Sequence, residues 1–213
     1  MTIAPGRACI IDDDAEVRGA IGSLLRSSGF DVALYESTAA FLADARPELP
    51  ACLVLDVRLP GENGLDFQEG LAARGIDLPV ILITGHGDIP MSVRAMKAGA
   101  IDFLPKPFSD EQMLAAVETA IAADRARRAA AAGDASLRDA YARLTPRERE
   151  VMALVVTGLM NKQVAARLDL SEITVKIHRG NVMRKMAAQS LADLVRMAEA
   201  LGVRDETIHR FPA

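Results

Sequence analysis

The chain has 213 residues, 22.8 kDa and 50% apolar composition, enough for two separate hydrophobic cores, although length alone does not require two. No apolar stretch approaches the roughly 20 residues that span a bilayer, and the opening MTIAPGRACII lacks the features of a secretory signal, so a cytoplasmic location without membrane partners is expected. The net charge of −4 conceals a division: 9 Lys and Arg against 18 Asp and Glu through Ala123, then 16 against 11, a basic back half of the kind that suits nucleic acid.

In chain order, short Val, Ile and Leu runs predict strands at Ala8–Asp12, Asp31–Tyr35, Cys52–Asp56, Val80–Thr84 and Ile101–Leu104, alternating with helical segments. Five such units make a doubly wound parallel sheet. Val17, Ile21, Leu24 and Leu25 form the core stripe of the first helix, and Asp14 reads as its N-terminal cap. Met113, Val117, Ala120 and Ile121 do the same for the fifth, which Ser109 and Gln112 open as a capping box. Cys9 and Cys52, at the starts of two strands and without a CxxC pair, read as buried core thiols, with a redox pair on neighbouring strands as the lesser alternative.

The apolar runs deliver polar residues to their ends: Asp12 and Asp13, Asp56, and Thr84, with Lys106 following the fifth. Ligands of open parallel sheets bind at those carboxyl ends. Three carboxylates brought together repel one another unless a cation joins them, and a hard divalent ion such as Mg2+ takes oxygen ligands while keeping positions for phosphate oxygens. The arrangement points to a metal and a phosphoryl group.

Residues 124–143, DRARRAAAAGDASLRDAYAR, read as an Ala- and Arg-rich helical linker with a break expected at Gly133. Beyond it strand signals vanish. Thr145, Pro146 and Glu148 open one helix that Gly158 stops, Asn161 is expected to cap a second through Leu168, Ser171 a third through about Met186, and Ser190 with Asp193 a fourth. A short helix, a tight turn and a longer polar-faced helix make a helix-turn-helix.

The acidic pair, Asp56 at its strand end, Pro60, Gly64, Thr84 and the LPKPF segment make residues 1–123 resemble a response-regulator receiver domain, a flavodoxin-like sheet of order 2-1-3-4-5. The resemblance implies that Asp56 accepts a phosphoryl group from a sensor histidine kinase, that Asp12, Asp13, Asp56 and the Arg58 backbone carbonyl hold Mg2+, and that Lys106 faces the phosphoryl oxygens. It also implies that Thr84 and Phe103 form the switch and that a cis bond at Lys106–Pro107 is possible. The segment TGHGD resembles FixJ-type regulators, and His86 within it carries no catalytic role on this reading.

LTPREREVMALVVTGLMNKQVAARLDLSEITVKIHRGNVMRKM, within residues 144–202, resembles the LuxR and NarL helix-turn-helix, most closely the FixJ branch; 203–213 would be a C-terminal tail. In the third helix Val175, His178, Val182 and Met186 share a core face, while the other side presents Thr174, Lys176, Ile177, Gly180, Asn181 and Arg184. Lys176, Ile177, Asn181 and Arg184 are candidates for base edges, and Lys162, Ser171, Arg179 and Lys185 for phosphates. Gly180 departs from relatives with a long basic side chain there, so the target sequence does not carry over.

These resemblances imply a phosphorylation-activated transcription factor, an activator in contact with RNA polymerase. It would dimerise on phosphorylation through the fourth helix and fifth strand, Pro90–Ala98 and Ile101–Leu104, and bind promoter DNA. Two rivals stand beside it. An Asp-nucleophile phosphohydrolase would use similar strand-end groups but carries its nucleophile on a DxD strand, whereas the candidate nucleophile here, Asp56, lies well downstream of the acidic pair Asp12 and Asp13. A small-molecule-sensing LuxR-type regulator needs an aromatic-lined pocket, against a front half with no Trp, one Tyr and five Phe.

Overall fold

The structure, a computed structural model, describes residues 6–44 and 47–203. The chain folds as two units that divide between Ala129 and Ala130. In the first, strands β1 (Arg7–Ile11), β2 (Asp31–Tyr35), β3 (Ala51–Asp56), β6 (Val80–Thr84) and β7 (Asp102–Pro105) form one sheet of order β2-β1-β3-β6-β7, parallel throughout. With the two-residue strands β4 (Arg58–Leu59) and β5 (Glu62–Asn63) set apart as an antiparallel hairpin, this is the 2-1-3-4-5 order expected.

Strand alternation sorts the apolar side chains into two layers. Ala8, Ile10, Cys52, Val54, Ile81 and Ile83 face α1 (Ala15–Ser27) and the start of α5 (Asp110–Ala142). Cys9, Ile11, Leu53, Leu55 and Leu82 face α2 (Thr38–Ala43), α3 (Gly64–Leu71) and α4 (Ile89–Lys97). The two cysteines therefore point to opposite faces and both are free. Burial pushes the Cys9 thiol up to about 11 and that of Cys52 higher still, so neither is a ready nucleophile.

The expected caps form. Asp14 accepts from the Glu16 and Val17 amides, and Ser109 and Gln112 exchange bonds with each other's backbone N–H. The helical stripes are buried at Ile21, Leu25, Met113, Val117, Ala120 and Ile121, with Val17 and Leu24 packed at the margin.

α5 runs without the break expected at Gly133, which is exposed and stands in open space, so the helix bears only the roughly 1 kcal/mol that glycine costs relative to alanine. Its residues at 124–128, expected to begin a linker, instead fasten the base of the first unit. Asp124 is fully buried and accepts from the Ala51 amide, Arg127 and Arg128, while Arg128 also donates to the carbonyls of Pro47 and Glu48.

The second unit packs α6 (Pro146–Val155), α7 (Asn161–Leu168), α8 (Glu172–Lys185) and α9 (Leu191–Leu201) around Val151, Met152, Val164, Val175, Val182 and Leu194, with Leu137, Ala140 and Tyr141 of α5 at its edge. Thr145 and Glu148 form the capping box of α6, and Ser171 and Ser190 cap α8 and α9. Asn161 is not a cap: it is the first residue of α7, whose preceding Met160 amide is taken by Gln163. The tail from 204 onward lies outside the described residues, among which no helix is long and apolar enough to cross a membrane.

Burial alone would raise the Asp124 carboxyl, but its hydrogen bonds from Ala51, Arg127 and Arg128 outweigh that and hold it below the ordinary range. A depressed carboxylate stabilises the fold fully above its unfolded value, near 4, and loses that contribution as pH falls through the lower folded value. Asp124→Ala should cost the first unit about 2–4 kcal/mol at neutral pH, by stranding the Ala51 amide and two arginines, and flatten its acid loss of stability; urea unfolding across pH measures both.

Candidate functional site

The parallel register places four chain segments at one edge. Asp12 follows β1, Asp56 ends β3, Thr84 ends β6 and Lys106 follows β7, all on adjacent strands. β1 lies between β2 and β3, so the point where the strand order reverses falls between Asp12 and Asp56.

Lys106 joins the two acids. Its Nζ lies 2.8 Å from Asp12 Oδ2 and 2.6 Å from Asp56 Oδ2. Burial alone would lower the Lys106 ammonium, but its bonds to the two carboxylates outweigh burial and raise it, so it stays protonated. Asp12, fully buried, is raised chiefly by desolvation and also by the neighbouring Asp56, partly offset by Lys106. The remaining oxygens are positioned by backbone: Asp12 Oδ1 accepts from the Asp14 amide at 2.9 Å and Asp56 Oδ1 from the Arg58 amide at 2.9 Å. Arg18, not singled out in the sequence, donates to the Asp12 carbonyl.

Asp12, Asp13 and Asp56 each offer a carboxylate oxygen within 4.8 Å of the others. Asp13 is exposed beside two buried partners. An all-oxygen donor set open on one side fits Mg2+, which binds through few carboxylates and keeps waters. Asp14 takes no part, since its carboxylate caps α1.

Thr84 is fully buried, and its Oγ1 accepts from the His86 amide at 3.3 Å, while its carbonyl accepts from the Lys106 amide at 2.7 Å. Phe103 is half-buried among the residues of the α2–α4 layer. A Cβ on Gly87 would lie 2.9 Å from the Phe103 ring and 3.3 Å from the Thr84 methyl. Gly87 thus sets how closely the loop after β6 approaches Thr84 and Phe103, a constraint hidden in the GHGD segment where His86 drew attention. Lys106–Pro107 is cis. A cavity of about 370 Å³ lies elsewhere in this unit, between Tyr35, Phe41, Ile76 and Leu78, with Arg7 and Arg127 at its rim paired to Asp31 and to Asp77 and Asp124.

On the second unit, Lys162, Lys176, Ile177 and Arg184 of the candidate DNA contacts are exposed. Others are engaged internally. Ser171 Oγ accepts the Thr174 amide and bonds its hydroxyl, half-buried Arg179 reaches Asn161 at 3.3 Å, and Asn181 accepts from Arg184 at 3.2 Å. Lys185 lies 2.6 Å from Glu148. Burial alone would raise the Glu148 carboxyl, but Lys185 and the Thr145 amide hold it low, so Lys185 latches α8 to α6. His178 is half-buried, consistent with a packed residue.

Family models match both units: residues 8–118 to the response regulator receiver domain, and 142–198 to the bacterial regulatory proteins of the luxR family. The chain belongs to the response regulators, in the FixJ branch. Nodulation protein W of Bradyrhizobium diazoefficiens is 55% identical over 91% of this chain and 86% of its own length. Transcriptional regulatory protein FixJ of the same organism is 44% identical over 94% and 98%. The solved response regulator StyR is 46% identical, with a TM-score of 0.83 over 92% of this chain and 99% of its own. This response regulator is therefore a two-component, DNA-binding transcription regulator, and its receiver leaves the ligand-sensing rival without a sensor domain.

The approach of the loop after β3 depends on Gly64, where a Cβ would overlap the Asp56 carbonyl oxygen and come within 2.9 Å of the Val57 Cα. Those neighbours are backbone and cannot rotate away. Gly64→Ala should cost at least about 2 kcal/mol and lower the receiver melting temperature by several degrees, read by circular dichroism.

Proposed function

We propose that this response regulator is switched on by phosphorylation of Asp56 by a sensor histidine kinase, and that it then dimerises, binds promoter DNA and activates transcription in contact with RNA polymerase. The observation that carries this reading is the pairing of Lys106 with both Asp12 and Asp56 at the edge where Thr84 also ends its strand. Asp56 is the nucleophile: its carboxylate oxygen attacks phosphorus while the kinase histidine departs. Mg2+, bound through Asp12, Asp13, Asp56 and the Arg58 carbonyl, would supply neutralising charge to the phosphoryl group. Lys106 is already placed to contact a phosphoryl oxygen once Asp56 is modified, because it holds the Asp56 carboxylate at 2.6 Å.

The output follows from the looseness of α4. Ala95 is its one fully buried residue, while Ile89, Val93 and Met96 stand 79%, 46% and 51% exposed along its outer side. A helix held by so little burial shifts at low cost. When the Thr84 hydroxyl turns to the phosphoryl group and leaves the His86 amide, Phe103 moves into the space released, and the α4–β7 face becomes a dimer surface. Fourteen-residue α8, with Lys176, Ile177 and Arg184 exposed and Lys162 on α7, is the element that enters the major groove. The names of the relatives, transcriptional regulatory proteins and response regulators, support the same reading.

With Mg2+ and beryllofluoride as phosphoryl mimic, the protein should pass from monomer to dimer in light scattering, and Asp56→Asn should not. An unchanged wild-type mass sinks the dimerisation step, and a response retained by Asp56→Asn sinks the site. Met96→Asp should block dimerisation while leaving phosphorylation by acetyl phosphate within about two-fold of wild type, since the charge sits on the exposed side of α4.

A further inference from the structure

The outer side of α8 carries a feature that neither its fold nor its charge requires. Ile173 is 73% exposed and Ile177 59% exposed, one helical turn apart on the same side. Neither serves the core, which α8 enters through Val175, Val182 and Met186. Nor do they favour the helix, where exposed positions gain more from Ala, Lys or Glu than from a β-branched residue. One exposed apolar residue would be ordinary; a two-residue ridge on the first half of this helix, with Lys176 exposed next to Ile177 in the chain, suits contact with a polyanion.

Within the major groove the apolar feature of a base pair is the thymine C5-methyl. The next position along the ridge is Gly180, where an added Cβ would meet nothing within 4 Å, so no side chain holds the helix off the groove floor. We propose that Ile173, together with Ile177, reads thymine methyl groups, making Ile173 a specificity-determining residue and directing each half-site toward A·T pairs under the first turn of α8. This rests on the reading of α8 as the groove-entering helix. Ile173 supplies shape and dehydration where Lys176 supplies charge, so its loss changes which duplex is preferred more than how strongly DNA is held at large.

The test uses the full chain activated with beryllofluoride and Mg2+. A preferred duplex is selected from a random-sequence pool, and its thymines are then replaced one at a time by deoxyuridine, which removes the methyl and keeps the pairing. At one thymine or more per half-site, wild type should lose about four-fold in affinity, the effect expected for one buried methyl. Ile173→Ala, at an exposed position with no bearing on the core, should bind the thymine duplex about four-fold more weakly than wild type and show no further uracil penalty at that thymine, and Ile173→Val should keep part of the penalty. If the selected duplex is bound and every uracil replacement is neutral, or if Ile173→Ala retains the full penalty, the inference is overturned while DNA binding stands. If no duplex is enriched or bound, the reading of α8 falls with it.

Discussion

The structure depends on one electrostatic constraint: two acids on neighbouring strands share a single ammonium. Asp12 and Asp56 are both buried, and burial together with mutual repulsion works against holding two carboxylates there. Lys106 arrives from β7, two strands away from β3, and bonds both at under 3 Å. That contact ties the ends of β1, β3 and β7 into one charged assembly, and it exists only if all three strands run parallel and in register. A sheet slipped by one residue would turn Asp56 to the opposite face and set Leu55 in its place.

Around that assembly the front unit divides into a firm side and a yielding one. α1 and α5 are seated by continuous apolar stripes, and α5 is further pinned at the base through Asp124, whose carboxylate satisfies the first amide of the strand that carries Asp56. α4 has little of this: one buried alanine and a hydrogen-bonded patch in which Arg94 pairs with Asp66 and Glu69 at the surface. Exposed ion pairs contribute little. The helix held by the least burial is thus the one next to Thr84 and Phe103.

In the back unit, small helices of 8 to 14 residues could not persist alone. Caps and a shared core hold them. Thr145 and Glu148 close one end of α6, and Glu148 also draws Lys185 inward, so a carboxylate that reads as a helix-start signal is at the same time the latch between α6 and α8. Buried carboxylates do similar work in the two units: each satisfies a backbone amide and pairs with a cation, brought from a distant part of the chain for Asp12, Asp56 and Glu148 and from the same helix for Asp124.

Much of this is legible in the residues themselves. Continuous apolar runs identify strands buried on both faces, and the first polar residue after each run must emerge at the sheet edge, which is why Asp12, Asp56, Thr84 and Lys106 group together on sequence pattern alone. Most caps are equally plain, because their chemistry is local: a side chain reaches an amide two or three positions away, Asn161, which falls inside α7, being the exception. What the sequence alone determined, then, was what short-range periodicity governs: the order of strands and helices, most of their starts, and the chemistry presented at the strand ends. Tertiary structure decided how each charge and each exposed side chain is used. Lys185 and Arg179 look like phosphate contacts in the sequence, and folding pairs one with Glu148 and brings the other to Asn161; Asp124 looks like the start of a linker yet caps β3; and Ile173 gives no sign that folding leaves it uncovered. Those outcomes depend on which distant groups packing brings within about 3 Å, and no local pattern carries that information.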